Sequence, residues 1–254
     1  MFRIVIPARH GSTRLPGKPL LELAGKPLLQ WVYERALRCG ADEVLVATDD
    51  ERIATVARGF GAQVMLTAAS HETGTDRIAE VADRAGWGPG VMVVNLQGDE
   101  PLMPAVLVQQ AAALLASHAS ADIATLAAPL DNLQALLDPN VVKVVTTLQG
   151  RALYFSRAPI PWHRDEAPAG LLSQCSHEGA RRHIGLYAYR VGALRRLAAL
   201  QPTPLERLER LEQLRALEHG MDIRVDNATV LPGPDVNTPD DVARVVALLA
   251  VEAA

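Results

Sequence analysis

Eleven residues near the amino terminus, 8–18, carry Arg9, Arg14 and Lys18 together with Gly11, Ser12, Thr13 and Gly17. Groups of this kind hold phosphate. The side chains supply fixed and flexible positive charge, and a backbone without Cβ atoms brings its N–H groups close to an anion. Ser12 and Thr13 add hydroxyl donors. A Walker A loop has four residues between its first glycine and its Gly-Lys pair, then Ser or Thr. Here five residues, 12–16, separate Gly11 from Gly17-Lys18, and Pro19 follows, so the loop is of another type. A Gly-x-Gly-x-x-Gly dinucleotide turn is also absent. The competing reading is an arginine-rich surface loop whose charges only solvate it. Lysine is otherwise scarce, with only Lys26 and Lys143 besides Lys18 in a chain that mostly uses arginine, which adds weight to a specific role for Lys18.

The matching acid is Asp99, in Gln97-Gly98-Asp99-Glu100-Pro101. Ligands of open parallel sheets bind beyond the carboxyl ends of the strands, so Asp99 is expected to face Arg9 and Lys18. A carboxylate facing a polyphosphate repels it unless a cation lies between, and oxygen donors combined with phosphate favour Mg²⁺. The alternative for Asp99 is a turn-forming role after Gly98. Glu100 is expected to shape the turn before Pro101. Thr48-Asp49-Asp50 reads first as a helix cap. In His71-Glu72-Thr73-Gly74-Thr75-Asp76-Arg77, the backbone at Gly74 and Thr75 can approach a base or ribose. His163, Arg164, Asp165, His177 and Arg181 cluster in an irregular polar stretch, without a regular metal-ligand spacing. Cys39 and Cys175 form no CxxC pair, so reduced, buried thiols are expected.

These residues need a scaffold. Val- and Ile-rich runs at 2–6, 43–48 and 91–96 alternate with stretches of helical spacing at 28–39, 51–59 and 104–117, the pattern of a mostly parallel sheet flanked by helices. Further strands are expected at 123–127, 141–147, 152–155 and 183–189. A capping box at Thr203-Pro204-Leu205-Glu206 opens a helix that reads through to His219, with Leu205, Leu208, Leu211, Leu214 and Leu217 along it. Leucines three apart drift around a helix, so this one is expected to be buried on more than one side. Thr238, Pro239 and Asp241 cap the last helix.

With 254 residues, 49% of them hydrophobic, the chain can build one α/β domain with a substantial core. A net charge of −4 argues against nucleic acid or an anionic membrane as partner. No apolar stretch reaches bilayer length and the amino terminus lacks signal-peptide features, which makes the cytoplasm the expected location.

The segment 7–20 resembles the opening of the CTP-dependent sugar-acid cytidylyltransferases. The likeness recurs in order at Val46-Ala47-Thr48-Asp49, Gly74-Thr75-Asp76-Arg77, 94–101, 152–157, Arg182-His183-Ile184-Gly185 and Leu211-Glu212-Gln213-Leu214. It implies a single Rossmann-like nucleotidyltransferase domain over 1–254, in which about 151–225 binds the acid sugar and forms a homodimer contact. The implied substrates are CTP and 3-deoxy-D-manno-octulosonate (Kdo), and the product is CMP-Kdo for lipopolysaccharide biosynthesis, with Mg²⁺ as cofactor. Other acid sugars (8-amino-Kdo, sialic acid), or a nucleotide-binding protein without turnover, stay open at this point. The resemblance places the nucleotide against Ala8, Arg9, Ser12, Lys18, Gly74, Thr75 and Asp99, with Arg9, Lys18 and Asp99 catalytic. It places the acid sugar near Arg14, Arg77, Gln97, Arg157, His183, Tyr187, Glu212 and Gln213, and the metal on Asp99 and Asn237. The family's usual aspartate is replaced here by Asn237, whose amide offers one neutral oxygen. Asp235, two residues earlier, is a possible source of the missing charge.

Overall fold

In the computed structural model, which describes residues 1–11 and 15–252, the Val- and Ile-rich runs become central strands and the helical stretches cover both faces of the sheet. The first half holds β1 (Arg3–Ala8), a small hairpin of β2 (Glu22–Leu23) and β3 (Lys26–Pro27), α1 (Leu28–Leu37), β4 (Glu43–Thr48), α2 (Glu51–Gly59), β5 (Gln63–Leu66), α3 (Gly74–Arg84), β6 (Met92–Asn95), α4 (Ala105–Ser117) and β7 (Ile123–Pro129). The second half adds α5 (Leu133–Leu137), β8 (Lys143–Thr146), β9 (Ala152–Ser156), β10 (Arg181–Arg190), α6 (Val191–Ala199), α7 (Pro204–Glu209), α8 (Gln213–Glu218), β11 (Ile223–Asn227) and α9 (Pro239–Glu252).

Among the described residues, nine strands form one sheet with the main order β11-β7-β10-β6-β1-β4-β5. β1 runs parallel to β4 and β6, β4 to β5, and β7 to β11. β10 lies antiparallel to both β6 and β7, so it alone is reversed along that path. β8 leaves the path, pairing antiparallel with β10 and β9. The expected mostly parallel α/β sheet is therefore present.

Strand periodicity divides the core. Ile4 and Ile6 face one side, with Val46, Val94 and Leu96, and meet Leu29 and Val32 of α1 and Leu107 and Val108 of α4. Val5 faces the other, with Leu45 and Val93, and meets Ile78 and Val81 of α3 and Leu194 and Leu197 of α6. Each fully buried side chain of this size contributes about 1.5–3 kcal/mol. A third cluster, including Leu23, Leu28, Leu102, Val236, Val245 and Leu249, docks α9 and the irregular segment before it onto the hairpin side.

β1 continues through Pro7 to Ala8, beyond the expected end of the strand. Its pairing with β6 stops at Val5, so Pro7 lies where β6 asks for no donor. β1 and β6 therefore part just before the loops that carry Arg9 and Asp99.

Two expectations are corrected. The leucines from 205 to 217 do not share one helix. The chain turns at Arg210 (φ 55°, ψ 47°), between α7 and α8. Long-range bonds hold α7's end against β9: Arg157 Nε donates to the Glu209 carbonyl at 2.6 Å, and the Glu209 carboxylate accepts from Ser156 Oγ at 2.6 Å and the Arg157 N–H at 2.9 Å. Leu211 and Leu214 then enter the core while Leu208 stays exposed. Cys39 is buried as expected, but Cys175 is exposed, its thiol 3.2 Å from the Glu166 carbonyl in the irregular loop between β9 and β10.

Lys143 shows why a lysine interrupts an apolar strand. Its ammonium, fully buried, donates to the carbonyls of Asp138 (2.9 Å), Val141 (2.7 Å) and Arg157 (2.7 Å). Three donors on a point charge match three converging carbonyls, which a planar guanidinium does not.

Candidate active site

Two cavities adjoin at the carboxyl edge of the parallel strands. The first, of about 280 Å³, is bounded by Ala8 and Arg9 at the end of β1, Lys18 and Pro19 in the next turn, 71–74 before and into α3, 97–99 after β6, and Asn237. Gly98 makes this possible. A Cβ there would lie 2.9 Å from the Pro7 carbonyl oxygen, so only glycine lets the loop after β6 lie directly against the end of β1. Asp99 is thereby delivered across the gap to Lys18. Thr73 caps α3 by accepting from the Asp76 N–H, with Asp76 bonding back to the Thr73 N–H, which fixes Gly74 at the cavity wall. Exposed Arg9 reaches the Glu72 carbonyl at 3.4 Å and links the two loops.

At the floor, Lys18 Nζ lies 2.6 Å from Asp99 Oδ2 and 3.1 Å from Asn237 Oδ1. Two constraints bring Asn237 there. The Val236 N–H donates to the Asp99 carbonyl at 2.9 Å, and the Asp241 carboxylate accepts from the N–H groups of Asn237 (3.0 Å) and Thr238 (2.8 Å) while Thr238 caps α9. Asn237 Nδ2 donates to Asp235 Oδ2 at 2.6 Å, which orients the amide with its oxygen toward Lys18. Asp235 thus acts on the amide's orientation.

A carboxylate and an amide oxygen converging on one positive group are suitable donors for Mg²⁺. Among the described residues no group of three or more His, Cys, Asp or Glu side chains forms a complete protein metal site. The donor set fits a cation that takes its other ligands from phosphate and water, which is how Mg²⁺ usually binds.

The second cavity, of about 410 Å³, shares Gly74, Gln97 and Asp99 with the first and adds Thr75, Asn95, His183, Tyr187, Tyr189, Glu212 and Gln213. Burial lowers the His183 pKa to about 3, so the ring is neutral. Thr125 Oγ1 lies 2.9 Å from His183 Nε2 and within reach of the carbonyls of Leu186 at 2.8 Å and Ile184 at 3.0 Å, which fixes the ring's position in the cavity. Phe155 and Tyr187 pack on this ring, with centroids at 4.9 and 5.2 Å. Burial raises Glu212 to about 7, against a lowering hydrogen bond with Thr75, and its Oε1 is buried without a partner. Burial also raises Tyr187 well above the usual phenol range. Beside the acids Asp99, Glu100 and Asp235 in its wall, the cavity offers neutral donors and acceptors that suit a polyhydroxylated ligand.

A third cavity of about 540 Å³ continues past His183 and Gly185, with Arg182, Arg244, Asp235 and Glu100 in its wall. Burial first, then the neighbouring charges of Asp99 and Asp235, pushes Glu100 well above the carboxylate range.

Most residues singled out from the sequence meet at these cavities: Ala8, Arg9, Lys18, Gly74, Arg77, Gln97, Asp99 and Asn237 line the first, and Thr75, His183, Tyr187, Glu212 and Gln213 the second. Gln97 lines both. Arg77 is buried, its guanidinium held by Thr67 Oγ1 and by Asp49 Oδ2 at 2.9 Å, so Asp49 serves as its counter-ion while Asp50 caps α2. Arg157 is not brought to the cavities. Its side chain is used on the carbonyls of Glu209 (2.6 Å) and Pro139 (2.8 Å). Ser12, Thr13 and Arg14 lie outside the described residues. Sequence reasoning missed Asn95, 2% exposed with Oδ1 unpartnered, and Tyr189. A polar Asn closing an apolar strand was the available signal for the first; Tyr189 left none, since it reads as strand core.

Comparison with known proteins gives the class. The model of the cytidylyltransferase family matches residues 3–223, and the chain belongs to that family. It is 56% identical over 248 residues to the 3-deoxy-manno-octulosonate cytidylyltransferase of Thioalkalivibrio sulfidiphilus (strain HL-EbGR7), covering 98% of each chain. It is 53% identical to the enzyme of that name from Methylococcus capsulatus (strain ATCC 33009 / NCIMB 11132 / Bath), over 96% of this chain and 95% of the other. Among solved structures it matches a CMP:2-keto-3-deoxy-manno-octonic acid synthetase complexed with CTP, with a TM-score of 0.89 and 40% identity over 99% of this chain and 100% of the other. A cytidylyltransferase from Leptospira borgpetersenii serovar Hardjo-bovis (strain JB197) shares the fold alone, with a TM-score of 0.63 at 17% identity over 98% of this chain and 86% of the other.

Proposed function

We propose that this chain transfers CMP from CTP to the anomeric hydroxyl of Kdo, releasing pyrophosphate and forming CMP-Kdo for lipopolysaccharide biosynthesis. The observation that carries the reading is the pair of adjoining cavities, one presenting Arg9 and Lys18 and one presenting His183, Tyr187, Glu212 and Gln213, with Gln97 and Asp99 in the wall between them. In this reading the triphosphate lies in the first cavity against Arg9 and Lys18, and the cytosine lies by the 71–77 loop. The acid sugar lies in the second. Neutral His183 bonds to a sugar hydroxyl, protonated Glu212 donates to one, and Gln213 and Tyr187 complete the polar lining. Gln97 orients the attacking hydroxyl toward the α-phosphorus, and pyrophosphate departs toward Lys18 and Arg9. Positioning and charge neutralisation supply most of the catalysis in such transfers. Asp99 and Asn237 would hold Mg²⁺, which supplies neutralising charge to the phosphates.

The same reading treats the chain as one nucleotidyltransferase domain working in the cytoplasm as a homodimer. No helix among the described residues is long and apolar enough to cross a membrane. Support for the dimer comes from β9, which among the described residues has β8 as its only ladder partner, and from exposed Leu153 on β9 and Leu208 on the neighbouring α7. The test is CTP-dependent pyrophosphate release with Kdo, 8-amino-Kdo or sialic acid, with and without Mg²⁺. Mg²⁺-dependent release fastest with Kdo is expected. Release that prefers sialic acid, or none with any acid sugar, contradicts the proposal.

A further inference from the structure

One ammonium satisfies both oxygens that would hold the metal. Lys18 Nζ contacts Asp99 Oδ2 at 2.6 Å and Asn237 Oδ1 at 3.1 Å, and the two charged side chains are only 13% and 28% exposed. The amide of Asn237 is held in this orientation by its 2.6 Å bond to Asp235, and the loops are tied by the Val236 N–H on the Asp99 carbonyl at 2.9 Å. The paired oxygens are thus built to face one positive group. A second cation at the same oxygens would lie at contact range from the ammonium, where like charges repel strongly in a partly dehydrated site.

We infer that Lys18 and the divalent cation compete for Asp99 and Asn237. Lys18 occupies the two oxygens, which the Asp235 and Val236 bonds keep converged, and the cation binds weakly until a triphosphate draws the ammonium onto its own oxygens. Metal and nucleotide are then coupled, each tightening the other by the same factor. This rests on the reading of the first cavity as the triphosphate site, and it gives Lys18 a competing hold on the metal oxygens besides its contact with phosphate.

The test uses Mn²⁺ alone, with neither nucleotide nor acid sugar present. Its binding to the full chain is measured by the electron paramagnetic resonance of free Mn²⁺, for wild type, Lys18→Met and Lys18→Gln. Competition predicts a dissociation constant at least about tenfold lower in both variants, because the competing unit charge is gone. Unchanged or weaker Mn²⁺ binding in variants that retain a cooperative thermal transition overturns the inference. A second measurement needs no variant: reductive methylation of Lys18 in the wild type, followed by mass spectrometry, should quicken when Mn²⁺ is added. An unchanged rate at saturating Mn²⁺ overturns it equally. Failure of the triphosphate reading itself would appear separately, as absent CTP binding to the wild type.

Discussion

At Asn237 an amide stands beside a carboxylate, and the surrounding bonds decide what it presents. Asp235 accepts one Nδ2 proton and Asp241 the backbone N–H, so the oxygen is left for Lys18. Glu212 provides a pH-dependent counterpart in the second cavity. Its pKa rises from 4.5 to about 7, chiefly through burial. Between those values the folded state keeps a proton that the unfolded state has lost, so the contribution is fully present below the unfolded pKa and is lost as pH rises through about 7. Urea unfolding at pH 5 and pH 8 should therefore show that Glu212→Gln, which cannot ionise, loses less stability between the two than wild type does, by about 1–3 kcal/mol. Equal losses would mean that Glu212 is ionised in the folded protein. At this scale the sequence was legible where charge clustered, as at Arg9, Lys18 and Asp99. It gave no hint of the Arg157 contacts, because the carbonyls that claim this arginine come from distant segments and leave no local pattern. Asn95 and Tyr189 were hidden for a related reason: polar atoms within apolar strands read as core until neighbouring loops open a cavity beside them.

Among the elements, helix starts were the most legible, because a cap is a local contract between residues three apart. Asp50 and Thr238 cap as their sequences predict, and Thr73 adds a cap of the same kind. The break between α7 and α8 was not legible, since leucines three apart look the same whether or not a distant arginine seizes a helix-end carbonyl. The segment before α9 illustrates how an irregular element can still be positioned closely. Val236 is fully buried beside Leu102, and a Cβ on Gly233 would lie 2.5 Å from the Leu102 Cβ. Gly233→Ala should push this segment outward, lowering stability by about 1–3 kcal/mol through overpacking. It should also raise the Mg²⁺ concentration needed for half-maximal activity, because Asn237 lies on the same segment. Thermal unfolding and Mg²⁺ titration of the variant check the two effects. Loss of stability with unchanged Mg²⁺ dependence would detach the segment from the metal site.

Across the whole molecule, the alternation of apolar runs and helical stretches was enough to foresee a mostly parallel α/β sheet, since buried parallel strands and flanking helices leave strong periodic signals. The insertion of reversed β10 between β6 and β7 was not foreseeable from periodicity, because a buried strand has the same pattern in either direction. That insertion is what builds the second cavity beside the first: β10 brings His183, Tyr187 and Tyr189 next to the loop after β6. The central claim is that Arg9 and Asp99, delivered by the ends of neighbouring strands β1 and β6, and Lys18, from the turn after β1, grip a triphosphate in the first cavity. A crystal structure of the chain with CTP and Mg²⁺ tests it most directly. The account predicts the triphosphate between Arg9 and Lys18, with the Asp99 and Asn237 oxygens turned to the same phosphates and cytosine against the Gly74 loop. Nucleotide bound in the second cavity, or phosphates out of reach of Lys18 and Asp99, would contradict it.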